Sequence, residues 1–171
     1  MKITGVTAIA AVVWTSAPGN AIPAAEAQVI VCITPTQDMG LQSQAMKVAS
    51  VILASSGVKI QWHDPSKCPA EAIIITLSNN EPASLRPGLL AYALPFEGTH
   101  VVVFYDRVKN DRVKNRPGYA QAVLGHVIAH EITHILQGAV WHSETGIMKA
   151  QWSRADFMAM IGFTSSVGPA S

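Results

Sequence analysis

The stretch from residue 119 to residue 148 reads YAQAVLGHVIAHEITHILQGAVWHSETGIM, and it decides the fold. Its first part, Tyr119–Gln137, would be apolar over most of the circumference of a helix, and Gly138 is a natural C-terminal stop. A helix with this pattern has to be covered by other elements on nearly every side. The sequence therefore predicts a long buried helix around which the rest of the chain packs.

Polar side chains interrupt this apolar helix at His126, His130, Glu131 and His134. His130 and His134 are four residues apart, so they lie one above the other on a helix face and can bind the same ion. Neutral imidazoles suit zinc, and Glu131 is turned to the side, where it can accept a proton from a water bound to the metal. We therefore predict a zinc (Zn2+) site with Glu131 as the general base. His126 is predicted to pack or to support the site.

A catalytic zinc site needs a third protein ligand, and the sequence offers three candidates. His142 is favoured, because Gly138 ends the helix and allows the chain to turn back beneath the metal. Glu144 follows that turn and is expected to face solvent or to orient a ligand. Asp156, a carboxylate 22 residues after His134, is the third candidate, but it is expected to cap or anchor the last helix.

The residues HEITHILQGAVWH followed by SETGIM resemble the motif of the metzincin zinc peptidases, HExxHxxGxxH with a methionine turn. Here the spacing is one residue longer on each side of the glycine, and no tyrosine follows Met148. Upstream, LAYAL and VVVFYD look like the edge strand and the next strand of matrix metalloproteases, so that the resemblance covers about Leu90 to Met148.

This resemblance to metzincins implies a role for each motif residue. Glu131 would be the general base, and Met148 would form the floor beneath the metal. The edge strand would bind an extended peptide by strand addition. The implied zinc ligands are His130, His134 and His142.

The remaining segments predict how the buried helix is covered. β-Branched apolar runs predict strands, and helical spacing followed by Gly57 predicts an early helix. Together with the resemblance they predict an α+β, zincin/metzincin-like fold: a twisted mixed sheet of about five strands with an antiparallel edge strand, the buried active-site helix and a C-terminal helix. The predicted strands are 28–34, 58–62, 72–77, 90–96 and 100–105, and the predicted flanking helices are 41–56 and 153–161.

Two further features concern the surface and the cysteines. The repeated pentapeptide DRVKN, at residues 106–110 and 111–115, is predicted to be a solvated loop lengthened by duplication, whose basic residues are alternatively available to line a substrate groove. Cys32 lies in the first strand and Cys68 just before the third, and these strands would be neighbours in a zincin sheet. We therefore predict a Cys32–Cys68 disulfide, with two buried thiols as the alternative.

The N-terminal residues resemble a signal peptide. Met1 and Lys2 precede a mostly apolar stretch, and Ala25-Glu26-Ala27 matches an A-x-A cleavage site. We predict a leader over residues 1–27, with a cytosolic N-terminal extension as the alternative, a single catalytic domain over residues 28–171, and a secreted or periplasmic location. The net charge of +1 is too small to produce the strong positive electrostatic potential that would attract nucleic acid. No later segment is long and apolar enough to span a membrane.

These patterns predict a secreted zinc-dependent hydrolase, foremost a peptidase whose partner is a peptide or protein substrate. One alternative is a non-catalytic binding protein with a zincin fold. Glu131 argues against it, because a structural zinc site gains nothing from that carboxylate. A second alternative is a zinc hydrolase of a non-peptide amide, since no specificity pocket can be recognised in the sequence.

Overall fold

The computed structural model describes residues 27–80, 88–93, 98–110 and 116–168. Within these residues, five strands and one long helix lie before residue 105, and two long helices dominate the second half. The elements are β1 (Ala27–Ile33), α1 (Met39–Ala54), β2 (Val58–His63), β3 (Ile73–Ser78), β4 (Ala91–Ala93), β5 (His100–Phe104), α2 (Tyr105–Asn110), α3 (Tyr119–Gln137) and α4 (Arg154–Val167), with a 3₁₀ turn at Pro65–Lys67.

The strands form one mixed sheet in the order β2-β1-β3-β5-β4. β1 pairs in parallel with β2 and β3, and β3 pairs in parallel with β5. β4 is antiparallel to β5 and lies at the edge. The central strands are short β-branched runs in which buried residues alternate with half-buried ones, so one face of the sheet is packed more closely than the other. The predicted mixed sheet with an antiparallel edge strand is therefore confirmed.

Helix α3 has the predicted bounds, because glycine residues mark both of its ends. Gly118 and Gly138 have φ angles of 83° and 57°, a left-handed conformation that favours glycine. The backbone N–H of Gly138 donates to the carbonyls at the end of the helix. Leu124, Ile128 and Ile132 are fully buried along its length. α3 is thus the buried helix that the apolar pattern predicts.

Helices α1 and α3 pack so closely at Gly125 that no side chain fits between them. A Cβ atom at Gly125 would lie 2.6 Å from Cβ and Cγ1 of Val48 and 2.8 Å from the carbonyl oxygen of Ala45. The glycine costs helix propensity, but it allows two backbones to approach each other. This contact sets how closely α3 packs on α1.

Helix α4 begins at a capping box and extends beyond its predicted end. The Ser153 hydroxyl accepts from the Asp156 backbone N–H, and the Asp156 carboxylate accepts from the Ser153 backbone N–H. The sequence predicts an end near Ile161, whereas the helix continues to Val167. The added turn is held by tertiary packing, since the Phe163 ring lies 5.7 Å from that of His126 on α3.

The prediction of a loop at the DRVKN repeat is wrong for the first copy. Residues 106–110 belong to helix α2, and Val108 is fully buried in the core. The buried Val108 anchors this segment in the core. The charged residues on both sides of it led the sequence analysis to predict a loop. The second copy, residues 111–115, lies outside the described residues. Of the predicted strand 90–96, only Ala91–Ala93 is a strand, and residues 94–97 are not described.

The predicted disulfide is confirmed. Cys32 on β1 is bonded to Cys68, which follows the 3₁₀ turn. Their Cα atoms are 6.0 Å apart and their sequence separation is 36 residues. The adjacency of β1 and β3 brings the two cysteines together, as the resemblance to metzincins implies.

The predicted leader, residues 1–27, lies outside the described residues except for Ala27, which is the first residue of β1. Among the described residues, no helix is long and apolar enough to cross a membrane.

Gly125→Ala should lower the free energy of unfolding by about 1–3 kcal/mol, because the added methyl group overlaps Val48 and the α1 backbone. Gly162→Ala in α4 is the matched control: its Cβ would meet no atom within 4 Å, so the better helix propensity should stabilise the protein by up to about 1 kcal/mol. Chemical denaturation measures both. Equal effects of the two substitutions would contradict the close approach of α1 and α3.

Replacing both cysteines, Cys32→Ala with Cys68→Ala, should lower the free energy of unfolding by about 4 kcal/mol, because the bond restricts the unfolded chain. Denaturation with and without reductant measures the effect. Reductant should destabilise the wild type and leave the double variant unchanged. A wild type indifferent to reductant would refute the disulfide.

Candidate metal centre

The C-terminal half of α3 carries three polar side chains in a nearly closed environment. His130, Glu131 and His134 are 7%, 6% and 6% exposed. The helix packs its apolar residues against the sheet, and Ile132 between them is fully buried. Buried polar groups of this kind require partners, so each of their polar atoms has to be accounted for.

The segment after α3 turns back towards the helix and brings His142 to the same place. Gly138 ends the helix, and the backbone N–H of Ala139 donates to the carbonyl of His134. Further on, the backbone N–H of Ser143 donates to the carbonyl of Met148 over 2.8 Å, which closes a compact loop. His142 stands on this loop and is exposed. The chain therefore turns back towards the helix after Gly138, as the sequence predicts.

The three histidines converge at one point. The rings of His130 and His134 are 4.6 Å apart between centroids, and those of His134 and His142 are 4.9 Å apart. One nitrogen from each of the three rings lies within 4.8 Å of the others. His130, His134 and His142 therefore form a site positioned to bind a metal ion, and three imidazole donors are consistent with Zn2+.

Backbone carbonyls determine which nitrogen of each buried ring is available. Nδ1 of His130 lies 2.7 Å from the carbonyl oxygen of Ile147, and Nδ1 of His134 lies 2.8 Å from that of Ala139. A carbonyl oxygen can only accept, so each Nδ1 is the protonated nitrogen and donates. In the neutral rings, each Nε2 therefore carries a lone pair.

The two Nε2 atoms face each other at a distance of 3.0 Å. Two lone pairs at this distance repel unless a cation or a proton lies between them. Two nitrogens bound to one tetrahedral zinc ion lie about 3.3 Å apart, close to the separation found. The donor set thus fits zinc, with the N–H groups of both rings held by backbone carbonyls as metal-binding histidines require.

Burial sets the protonation of the site. It lowers the pKa of His130 to about 4 and lowers the pKa of His134, so both imidazoles are neutral at neutral pH and able to bind a metal. Burial raises the pKa of the Glu131 carboxyl to about 8. Among the described residues, no hydrogen bond or ion pair to this carboxyl offsets its desolvation. A nearby cation would favour its ionised form.

The other two candidates for the third ligand lie elsewhere. The Asp156 carboxylate accepts from Nζ of Lys149 and from Ser153, which holds the pKa of this carboxyl at about 2. It caps α4, as the sequence predicts. Glu144 is exposed and does not join the histidine cluster within the described residues.

Trp152 belongs to the site but is not recognisable in the sequence. Its ring lies edge-on to that of His130 at 5.6 Å and to that of Phe157 at 6.3 Å. Its indole N–H is buried without a hydrogen-bond partner. Because Trp152 lies outside any motif, its contact with the His130 ring is visible only in the structure.

Comparison with known proteins supports the fold. No protein-family model matches the sequence, and no curated protein matches it at a significant level. A solved structure of archaemetzincin from Methanopyrus kandleri superposes with a TM-score of 0.54 and 11% sequence identity, covering 85% of this chain and 97% of that chain. At this identity the match concerns the fold alone. The metzincin-like resemblance of the motif is thus confirmed at the level of the fold.

His142→Ala should weaken zinc binding by orders of magnitude without destabilising the metal-free protein, because His142 is exposed. Asp156→Ala should keep the zinc affinity and lose stability, because it removes the cap of α4. Competition with a chromophoric chelator and thermal denaturation measure the two effects. Loss of zinc from the Asp156 variant alone would assign the third ligand to the carboxylate.

Proposed function

We propose that this protein is a zinc-dependent hydrolase that cleaves peptide bonds, with His130, His134 and His142 as the zinc ligands and Glu131 as the general base. The observation that carries the proposal is the pair of Nε2 atoms that face each other at 3.0 Å on a helix that also carries a buried carboxyl, Glu131. A purely structural metal site would have no use for that carboxyl.

In the proposed reaction, the metal and the side chains of the protein have separate roles. When bound, zinc supplies a Lewis acid that polarises a carbonyl and lowers the pKa of water. Glu131 takes a proton from the attacking water and delivers it to the leaving nitrogen. The carbonyls of Ile147 and Ala139 keep the two buried rings in one tautomer and one orientation.

The sheet offers a place for a peptide substrate. β4 is the last strand of the sheet within the described residues, and it packs against α3, which carries the site. An extended peptide can pair with an edge strand through backbone hydrogen bonds. This arrangement supports a polypeptide substrate over a small amide, because an edge strand would align an extended chain and would offer little to a small molecule.

We also propose that the protein acts outside the cytoplasm, in a secreted or periplasmic location. The Cys32–Cys68 disulfide supports this, since such bonds persist in oxidising compartments. The leader-like residues 1–27 are the second support.

Glu131→Gln should retain zinc and lower kcat for peptide hydrolysis by about 10²–10⁴-fold, because it removes the base and no ligand. Glu144→Gln, the same change at an exposed position, should alter neither property. Metal analysis and cleavage of a mixed peptide library measure both. Full activity in the Glu131 variant would refute its role as the base.

Removal of zinc should abolish hydrolysis, and its return should restore it. If hydrolysis continued at the same rate in the presence of a chelator, the proposal that the protein is a metallohydrolase would be wrong.

A further inference from the structure

An apolar groove lies between helix α1 and the border strand β2. Its volume is about 510 Å³, and it is lined by Met46 and Val51 from α1 and by Ile60 and Trp62 from β2. Val51 is 40% exposed, and the other three side chains are half-buried. We call this site the α1–β2 groove. Because β2 and β4 form opposite borders of the sheet, the groove is remote from the strand that is proposed to align a substrate.

Hydrogen bonds hold the wall of the groove in place. The indole N–H of Trp62 donates to the hydroxyl of Ser50 over 2.9 Å. This hydroxyl in turn donates to the backbone carbonyl of Met46, also over 2.9 Å. The Trp62 ring is therefore tied to α1, and the groove exists before any partner binds. A preformed site loses less conformational freedom on binding than one that has to be ordered.

The strand beside the groove has one unpaired edge. Among the described residues, β2 pairs with β1 alone and forms the border of the sheet. Such an edge presents backbone N–H and C=O groups with which another extended chain can pair. β2 is 6 residues long and contains no proline, so a ladder can form along its whole length. An added strand would lie directly beside the α1–β2 groove.

The charge and the shape of the groove indicate what binds there. Lys47 and Lys59 line it, and none of the described residues that line it is acidic. Pairing with β2 of a second copy would bring two positively charged borders together, which is unfavourable. The lining is too exposed to enclose most of a small molecule, whereas an added strand also gains backbone hydrogen bonds.

We propose that β2 and the α1–β2 groove bind an extended acidic segment of another protein by strand addition. Successive side chains of a strand point to opposite faces, so apolar and acidic residues alternate in this segment. The apolar side chains enter the groove, and the acidic ones lie beside Lys59 on β2. The inference is independent of the proposed hydrolysis, because it uses no residue of the metal centre.

The test measures, by fluorescence anisotropy, the binding of a labelled peptide in which glutamate and valine alternate. Lys59→Glu together with Val51→Ser should weaken binding at least tenfold, about 1.4 kcal/mol. The matched control is Lys67→Glu together with Met39→Ser, which changes an exposed lysine and an exposed apolar residue outside the groove. This control should bind the peptide as the wild type does. Added salt should weaken binding to the wild type.

Modified peptides separate charge from strand pairing. A peptide with lysine in place of glutamate should bind at least tenfold more weakly. In a paired strand only alternate N–H groups face the neighbouring strand. Of two peptides that are N-methylated at alternate residues, in the two possible registers, one should therefore lose binding and the other should keep it.

Circular dichroism and zinc content, measured on every variant, show that the fold and the metal centre are intact. Equal binding of the glutamate peptide to the Lys59/Val51 variant and to the wild type would overturn the proposal. Full binding of both N-methylated peptides would overturn it as well. Self-association or binding to anionic lipid vesicles that depends on Lys59 and Val51, without binding of the peptide, would also overturn it and assign the groove to a second copy or to a membrane.

Discussion

The structure depends on the burial of α3 together with the polar groups that it carries. Two imidazoles and a carboxyl lie in the interior, and their desolvation has to be offset. Backbone carbonyls of the following segment satisfy one nitrogen of each ring. The remaining nitrogens converge at 3.0 Å, an arrangement that a cation stabilises. The turn at Gly138 and the loop up to Met148 supply the carbonyls that meet this requirement.

The site combines a rigid part with an accessible part. α3, which packs closely on α1 at Gly125, holds two imidazoles and the proposed base, Glu131, in the interior. His142, on a loop closed by the hydrogen bond between Ser143 and Met148, completes the set from the exposed side. In the proposed function, Glu131 is protected from bulk water by its burial, and the substrate approaches from the exposed side on which His142 lies.

The sequence predicts those parts of the fold that local patterns specify. α3 has the predicted bounds because its apolar residues are continuous and glycine marks each end, and the β-branched strands are recognised for the same reason. Tertiary packing decides the rest. Val108 enters the core from the first copy of the charged repeat, which is helical, and Trp152 contacts His130 from the segment just before α4. The convergence of His142 with the helix histidines follows from the turn that Gly138 predicts.

The central claim is that three histidines hold one zinc ion and leave a position open. X-ray absorption at the zinc edge of the loaded wild-type protein tests it most directly. The account predicts three imidazole nitrogens at about 2.0–2.1 Å and one oxygen ligand that comes from water rather than from the protein. Two histidines with a carboxylate, or a site closed by four protein ligands, would contradict it.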